Sequence, residues 1–218
     1  MIVPIFPLPN VVLFPKTLLP LHVFEQRYRT MTREALAGDG AIVIVLLKEG
    51  WEAEYQNNPP VHEIACLGKI ETHEQLDEGK YNIVLTGLRR VRIIRELEHS
   101  PYRMAEIELL DDEACDDLEE DVVRRRNHMA GLFARFTELA TSQKNAGAEL
   151  VPQLDFEALV NLVASTLNLP VEDKQSLLEM DDPVRRCDNL IPILQSQIEA
   201  LVLVRAYQHL KPEEPRWN

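Results

Sequence analysis

The sequence predicts an α+β protein: a β-rich domain over residues 1–115, an α-helical bundle over 116–210 and a frayed tail over 211–218. Three observations predict it. Short apolar runs bounded by turn residues fill the first half. Only one strong helical period precedes residue 111. Beyond it, apolar residues recur at spacings of three and four. Strands first and helices after is an α+β order, which disfavours an alternating nucleotide-binding sheet.

The β-rich part reads in order as follows. Val11–Phe14 is a short apolar run between prolines. Leu21, Phe24, Tyr28, Met31 and Ala35 share one helical face, and Gly38 is the stop signal. Ile42–Leu47 is a continuous β-branched and leucine run, short enough for a strand buried on both faces. Ile64–His73 and Tyr81–Thr86 flank Asp77-Glu78-Gly79 and read as a hairpin, with Gly79 supplying a positive φ. Arg89–Ile94 reads as a further strand. In Met104–Leu109, Ala105, Ile107 and Leu109 share one face and Glu106 and Glu108 the other.

At Asp111–Asp121 eight acids fall within eleven residues. The later ones suit a first helical turn, where the macrodipole favours negative charge. Arg124, Arg125 and Arg126 follow at pairing distance. Leu118, Val122, Met129, Phe133, Phe136 and Leu139 form the stripe of a long helix ending near Ala140. Residues 141–152 read as a loop. Helices are expected from about Asp155 to Asn168 and over Asp173–Met180. A last one, running towards Leu210, is capped by Asp182, started by Pro183 and kinked by Pro192 inside it.

The formal net charge is −13. Residues 1–115 carry 12 basic and 18 acidic side chains, and 116–218 carry 11 and 18, so both halves share the acidity. Such a chain gains little from neutralising phosphates, which argues against nucleic acid. Three widely spaced cysteines, Cys66, Cys115 and Cys187, argue for a reducing compartment. The apolar amino terminus lacks a basic region and carries four prolines, making a poor signal peptide. No apolar run is read as membrane-spanning. The expected location is the cytoplasm.

Catalytic motifs are lacking. Gly68-Lys69 and Gly79-Lys80 are followed by Ile70 and Tyr81, where a phosphate loop needs Ser or Thr for magnesium. His62-Glu63 and His73-Glu74 have Cys66 and Asp77 where a zinc-binding helix needs its second histidine. No Gly-x-Ser-x-Gly occurs. The reading is therefore a non-enzyme that needs no cofactor and no metal. Two features stand as binding candidates. Arg89 and Arg90 lie in Gly87–Arg92, the densest basic patch of the β half; ion pairs with nearby acids explain it more readily than a ligand does. Trp51 and Tyr55 lie in the polar loop Glu49–Pro60; they serve as peptide anchors or fold back on the core.

The opening Pro4–Met31 (PIFPLPNVVLFPKTLLPLHVFEQRYRTM) resembles the start of the amino-terminal domain of Lon proteases. The block Glu63–Ile93 carries the more specific likeness: a strand with Gly68, an acidic-Gly turn, and a strand closing in Gly87-Leu88-Arg89-Arg90-Val91. Pro101-Tyr102, Lys174–Glu179 and the Arg185 helix extend it. The resemblance implies a PUA-like β pseudo-barrel with one helix, followed by a helical bundle. It implies recognition of unfolded or exposed apolar protein segments, with an ATP-dependent protease as a further partner. The ATPase motor and Ser-Lys protease of that family are separate later domains, so a stand-alone recognition module is expected here. Pro7, Leu8, Phe14, Pro15, Gly68 and Gly87 are motif residues whose types suit fold maintenance.

Overall fold

A computed structural model describes residues 1–54, 58–112, 115–141 and 153–208. The chain forms two compact units. The first comprises Met1–Ala114 with Ala164–Asp182, and the second Cys115–Val163 with Pro183–Asn218.

The first unit is built on six strands: β1 (Ile2–Leu8), β2 (Leu18–Val23), β3 (Ala41–Leu46), β4 (Ile64–Gln75), β5 (Tyr81–Leu97) and β6 (Arg103–Leu109). Their order is β2-β5-β4-β3-β1-β6, and β5 also pairs with β6. That additional pairing closes β5, β4, β3, β1 and β6 into a ring, leaving β2 outside it on one flank of β5. Pairing is antiparallel except between β1 and β3. Closure hides the edges that an open sheet would present.

Period-two alternation sorts the strand residues into two apolar clusters. Val3, Ile5, Val43, Val45, Ala65, Val91, Ala105 and Ile107 form one, drawn from every strand of the ring. Phe6, Ile42, Ile44, Cys66, Ile83 and Leu85 belong to the other, with Tyr28 and Met31 of helix α1 (Gln26–Ala37). Strand β3 supplies both clusters, so its apolar run is buried on both faces as its sequence predicts. Each fully buried aliphatic side chain contributes roughly 1.5–3 kcal/mol.

The structure corrects some sequence expectations. Leu21 lies in β2 and Phe24 precedes α1, so the helix begins at Gln26. The helix stops where Gly38 and Gly40 both donate to the Ala35 carbonyl, with Gly40 at φ +77°. The predicted hairpin forms between β4 and β5, with Gly79 at φ +72°. Tyr81–Thr86 and Arg89–Ile94 are parts of one strand, bent by register shifts opposite Leu67/Gly68 and Ile70/Thr72. Ala105 and Ile107 are buried, but Leu109 at the strand end is exposed.

Phe14, Pro15, Gly68 and Gly87 meet in one place. A Cβ on Gly87 would lie 2.1 Å from the Phe14 carbonyl oxygen, and one on Gly68 would press on Leu13 at 3.1 Å. Lys16 N–H donates to Gly87 O at 2.7 Å, and Gly87 N–H to Thr17 O at 2.9 Å. Gly87 thus admits the loop before β2 and fixes where β2 begins.

Helix α4 (Val171–Glu179) also belongs to the first unit. The Lys174–Glu179 motif holds it there. Gln175 Nε2 donates to Ile64 O at 2.9 Å, and Leu177 and Leu178 are buried. His62 contacts Glu172 and Glu179 at 3.4 and 3.3 Å. Lys174 donates to Ser165 O at 2.8 Å, and burial lowers its pKa.

In the second unit, α2 (Glu120–Thr141) buries Val122, Met129 and Phe133. Leu118, expected in that stripe, precedes the helix and is 89% exposed. Asp121 pairs with Arg124 and Arg125 one turn on. Helix α3 (Phe156–Thr166), which belongs to this unit as far as Val163, is preceded by Asp155, whose carboxylate accepts from Ala158 N–H at 2.7 Å. Helix α5 (Pro183–Gln208) starts at the predicted proline and runs through Pro192. By length and composition, Pro183–Tyr207 is apolar enough to cross a membrane, which the sequence reading did not anticipate. Its buried residues Cys187, Leu190, Leu194 and Ile198 form a single stripe at spacings of three and four, as in a bundle helix. Arg186 is buried and donates to Asn161 Oδ1 at 2.7 Å.

Candidate functional site

The basic residues of β5 are arranged by their strand. Arg89, Arg92 and Arg95 reach across to Asp111, Glu108 and Glu106 at 3.3, 3.3 and 2.7 Å. This is a cross-strand ladder in which each cation faces a carboxylate. The Arg95 guanidinium holds the Glu106 carboxyl below the usual carboxylate range, by hydrogen bonding first and charge second.

Arg90, by contrast, is 2% exposed. Its Nε donates to Asp112 Oδ1, its Nη1 to Leu178 O at 3.2 Å, and its Nη2 to Asp111 O at 3.5 Å. The side chain therefore ties β5 to the residues after β6 and to the end of α4. It offers no exposed donor to a ligand; among the predicted site residues it acts on the fold. Arg89 is half-exposed and keeps donors for a partner.

Trp51 is partly buried and opens the 3-10 turn Trp51–Glu54. Tyr55 lies outside the described residues. The base of their loop is pinned. Leu47 and Val61 bridge, Lys48 N–H donates to Pro60 O at 2.9 Å, and Arg103 donates to Pro59 O at 2.9 Å. Arg103 in turn is gripped by both oxygens of Glu96, at 2.6 and 2.5 Å. An open groove of about 480 Å³ beside this base has Lys48, His62, Arg92 and Arg95 along Val61 and Ile94.

A second groove, of about 460 Å³, crosses the β2–β5–β4 surface. Sequence reasoning missed it because β2 was read as helix. Strand register builds it in rows: Pro20 opposite Val84 opposite Thr72, then His22 opposite Asn82 opposite Glu74. Asn82 Nδ2 donates to Glu74 at 3.2 Å, so its Oδ1 accepts from His22 Nδ1 at 2.8 Å. These bonds make the His22–Asn82–Glu74 row polar, while Pro20 and Val84 supply apolar surface to the neighbouring row. Leu18 and Phe24, at either end of β2, are 66% and 60% exposed. Phe24 stacks on His22 with ring centroids 6.1 Å apart. Large apolar side chains beside a shallow groove form the kind of surface that proteins present to apolar partners. The signal in the sequence was Pro20 between alternating leucines, a pattern of an edge strand.

Among the described residues, neither groove is lined by a cysteine or a serine. Cys66 and Cys187 are buried, and burial pushes both thiols up, Cys187 to about 12. Among the described residues no group of three or more His, Cys, Asp or Glu is arranged to hold a metal.

A closed strand ring with an attached helix, two open surface grooves and structural charge pairs defines the domain. Residues 2–196 match the family model of the ATP-dependent protease La (LON) substrate-binding domain. The chain belongs to this family, as its opening and Glu63–Ile93 blocks suggested. It is similar to the Lon protease of Syntrophus aciditrophicus (30% identity, 93% of this chain, 26% of the relative). It is also similar to that of Cytophaga hutchinsonii (27% identity, 94% of this chain, 25% of the relative). The chain thus spans about a quarter of the length of these relatives. Its fold matches the crystal structure of a Lon N-terminal domain protein from Xanthomonas campestris (TM-score 0.64, 21% identity, 88% of this chain and 98% of that one). It also matches the N-terminal domain of the Mycobacterium avium complex Lon protease (TM-score 0.67, 18% identity, 89% and 98%).

Proposed function

We propose that this chain is a non-catalytic recognition module that binds exposed apolar segments of unfolded proteins at the β2–β5–β4 groove. One observation carries the reading: in a substrate-binding-domain family member, Leu18 and Phe24 stand largely exposed at the two ends of β2, the strand whose Pro20, Leu21 and His22 line a shallow groove. Hydrophobic side chains left in water favour burial by a partner of the same character. Trp51 and Arg89 are secondary anchors, with Tyr55 close to Trp51 in sequence. Arg90 contributes by positioning β5. An ATP-dependent protease acting on the captured segment is the partner this reading implies, and the cytoplasm is the compartment. The PUA-like label does not extend to nucleic acid, because the β5 arginines already face carboxylates and the net charge is −13.

Photo-crosslinking tests this. Benzoylphenylalanine at position 24 is expected to capture a reduced, unfolded protein and to ignore the same protein folded. Capture from position 51 but not 24 would move the site to the loop groove. Capture from neither would reject the reading, as would salt-sensitive RNA binding in a low-salt gel shift.

A further inference from the structure

The outer edge of β2 carries main-chain groups that its sheet does not use. Pro20 lies opposite Val84. In an antiparallel pair a residue either exchanges both main-chain bonds with its partner or turns both groups away. Proline has no N–H, so Pro20 is of the second kind, and with period two so are Leu18 and His22. Their side chains are the exposed ones on β2, alternating with Leu19, Leu21 and the buried Val23. The sheet order ends at β2, and no other strand among the described residues pairs with it. The N–H groups of Leu18 and His22, and the carbonyls of Leu18, Pro20 and His22, therefore face outward in a row.

We propose that β2 binds its partner by strand addition: an extended foreign polypeptide segment pairs with this edge and lays alternate apolar side chains beside Leu18 and Pro20. The proposal rests on the reading of the adjoining groove as the recognition surface and adds how the segment is held. Such pairing reads the main chain and so tolerates varied sequences, while alternate side chains select for apolar character. Strand edges are ordinarily guarded by charged residues or proline. Leu18–Val23 has no Lys, Arg, Asp or Glu, and Pro20 is its single guard. A second copy of the chain is the poorer occupant, because each copy brings a formal charge of −13. For the same reason the favoured segment is uncharged or basic.

The test uses the full chain and a fluorescein-labelled decapeptide of alternating valine and serine with lysine at each end. It is compared with two versions N-methylated at every second residue, in opposite phase. In the fluorescence anisotropy of binding, one phase is expected to weaken the complex about tenfold or more, and the other to change it by less than about twofold, since one set of N–H groups faces β2 and the other faces water. Binding that is indifferent to both phases, yet lost in Phe24→Lys, overturns strand addition and leaves the groove reading standing. No binding of the unmethylated peptide overturns both. A dimer in sedimentation that dissociates on Leu18→Lys overturns the choice of occupant.

Discussion

Arg90 Nη1 donates to the main-chain carbonyl of Leu178 at 3.2 Å, joining residues 88 positions apart. The same guanidinium meets Asp112, which is itself only 14% exposed. Removing it would take the guanidinium from a mostly buried carboxylate and a donor from the Leu178 carbonyl. Arg90→Ala is therefore expected to cost about 3–5 kcal/mol in urea denaturation. Arg89→Ala, which breaks an exposed pair, should cost less than about 1 kcal/mol. Equal costs for the two neighbours would contradict the assignment of Arg90 to the fold.

The approach of Phe14 to Gly87 makes a second contrast. Any side chain at position 87 must displace main chain, so Gly87→Ala is expected to destabilise by about 2 kcal/mol or more. Gly131 lies in α2, and a Cβ there meets nothing within 4 Å. Gly131→Ala should stabilise by up to about 1 kcal/mol through helix propensity. Thermal melts of the two variants, moving in opposite directions, check this.

Tyr102 donates to Glu34 Oε2 at 2.6 Å. Burial first, and this carboxylate second, raise its hydroxyl from 10.0 to about 12. The folded state keeps a proton that the unfolded state releases. The stability from the neutral hydroxyl is complete below pH 10 and is lost as pH rises towards 12. Ultraviolet titration should show Tyr102 ionising late, as the difference between the intact chain and Tyr102→Phe. Identical titrations of the two proteins above pH 10 would contradict it.

The cysteines should differ in reactivity. Cys66 and Cys187 are buried with raised thiols, whereas Cys115 is partly exposed. A thiol reagent applied to the native protein at pH 8 is expected to modify Cys115 first. The others should react only on unfolding. Mass spectrometry of the labelled protein reads the order.

Much of this fold was legible because its strongest signals are local. The run Ile42–Leu47 could be a strand buried on both faces, and β3 is one. Pro183 after Asp182 marked the start of α5. Other features depended on tertiary context. Leu21 and Phe24 fall on the helical period of Tyr28 and Met31 by coincidence, so β2 was absorbed into α1 and its groove was hidden. Arg89 and Arg90 could only be read together as a basic patch: Arg90 is buried through its bonds to Asp112 and to Leu178 O, 22 and 88 positions away, which no local pattern encodes. Gln175 shows the same limit. Its bond to Ile64 O spans 111 positions, so the helical period of α4 could not reveal that this helix rests on the first unit.

The central claim is that the groove on β2–β5–β4, with the exposed Leu18 and Phe24 beside it, captures unfolded protein. The most direct measurement compares the affinity of the intact chain and of the double variant Leu18→Lys, Phe24→Lys for a reduced, carboxymethylated protein that cannot refold. Circular dichroism serves as a check that both remain folded. The account predicts at least about tenfold weaker binding by the variant, since two buried apolar contacts of about 1 kcal/mol or more each are lost. Equal affinity for the two, with folding intact, would contradict it.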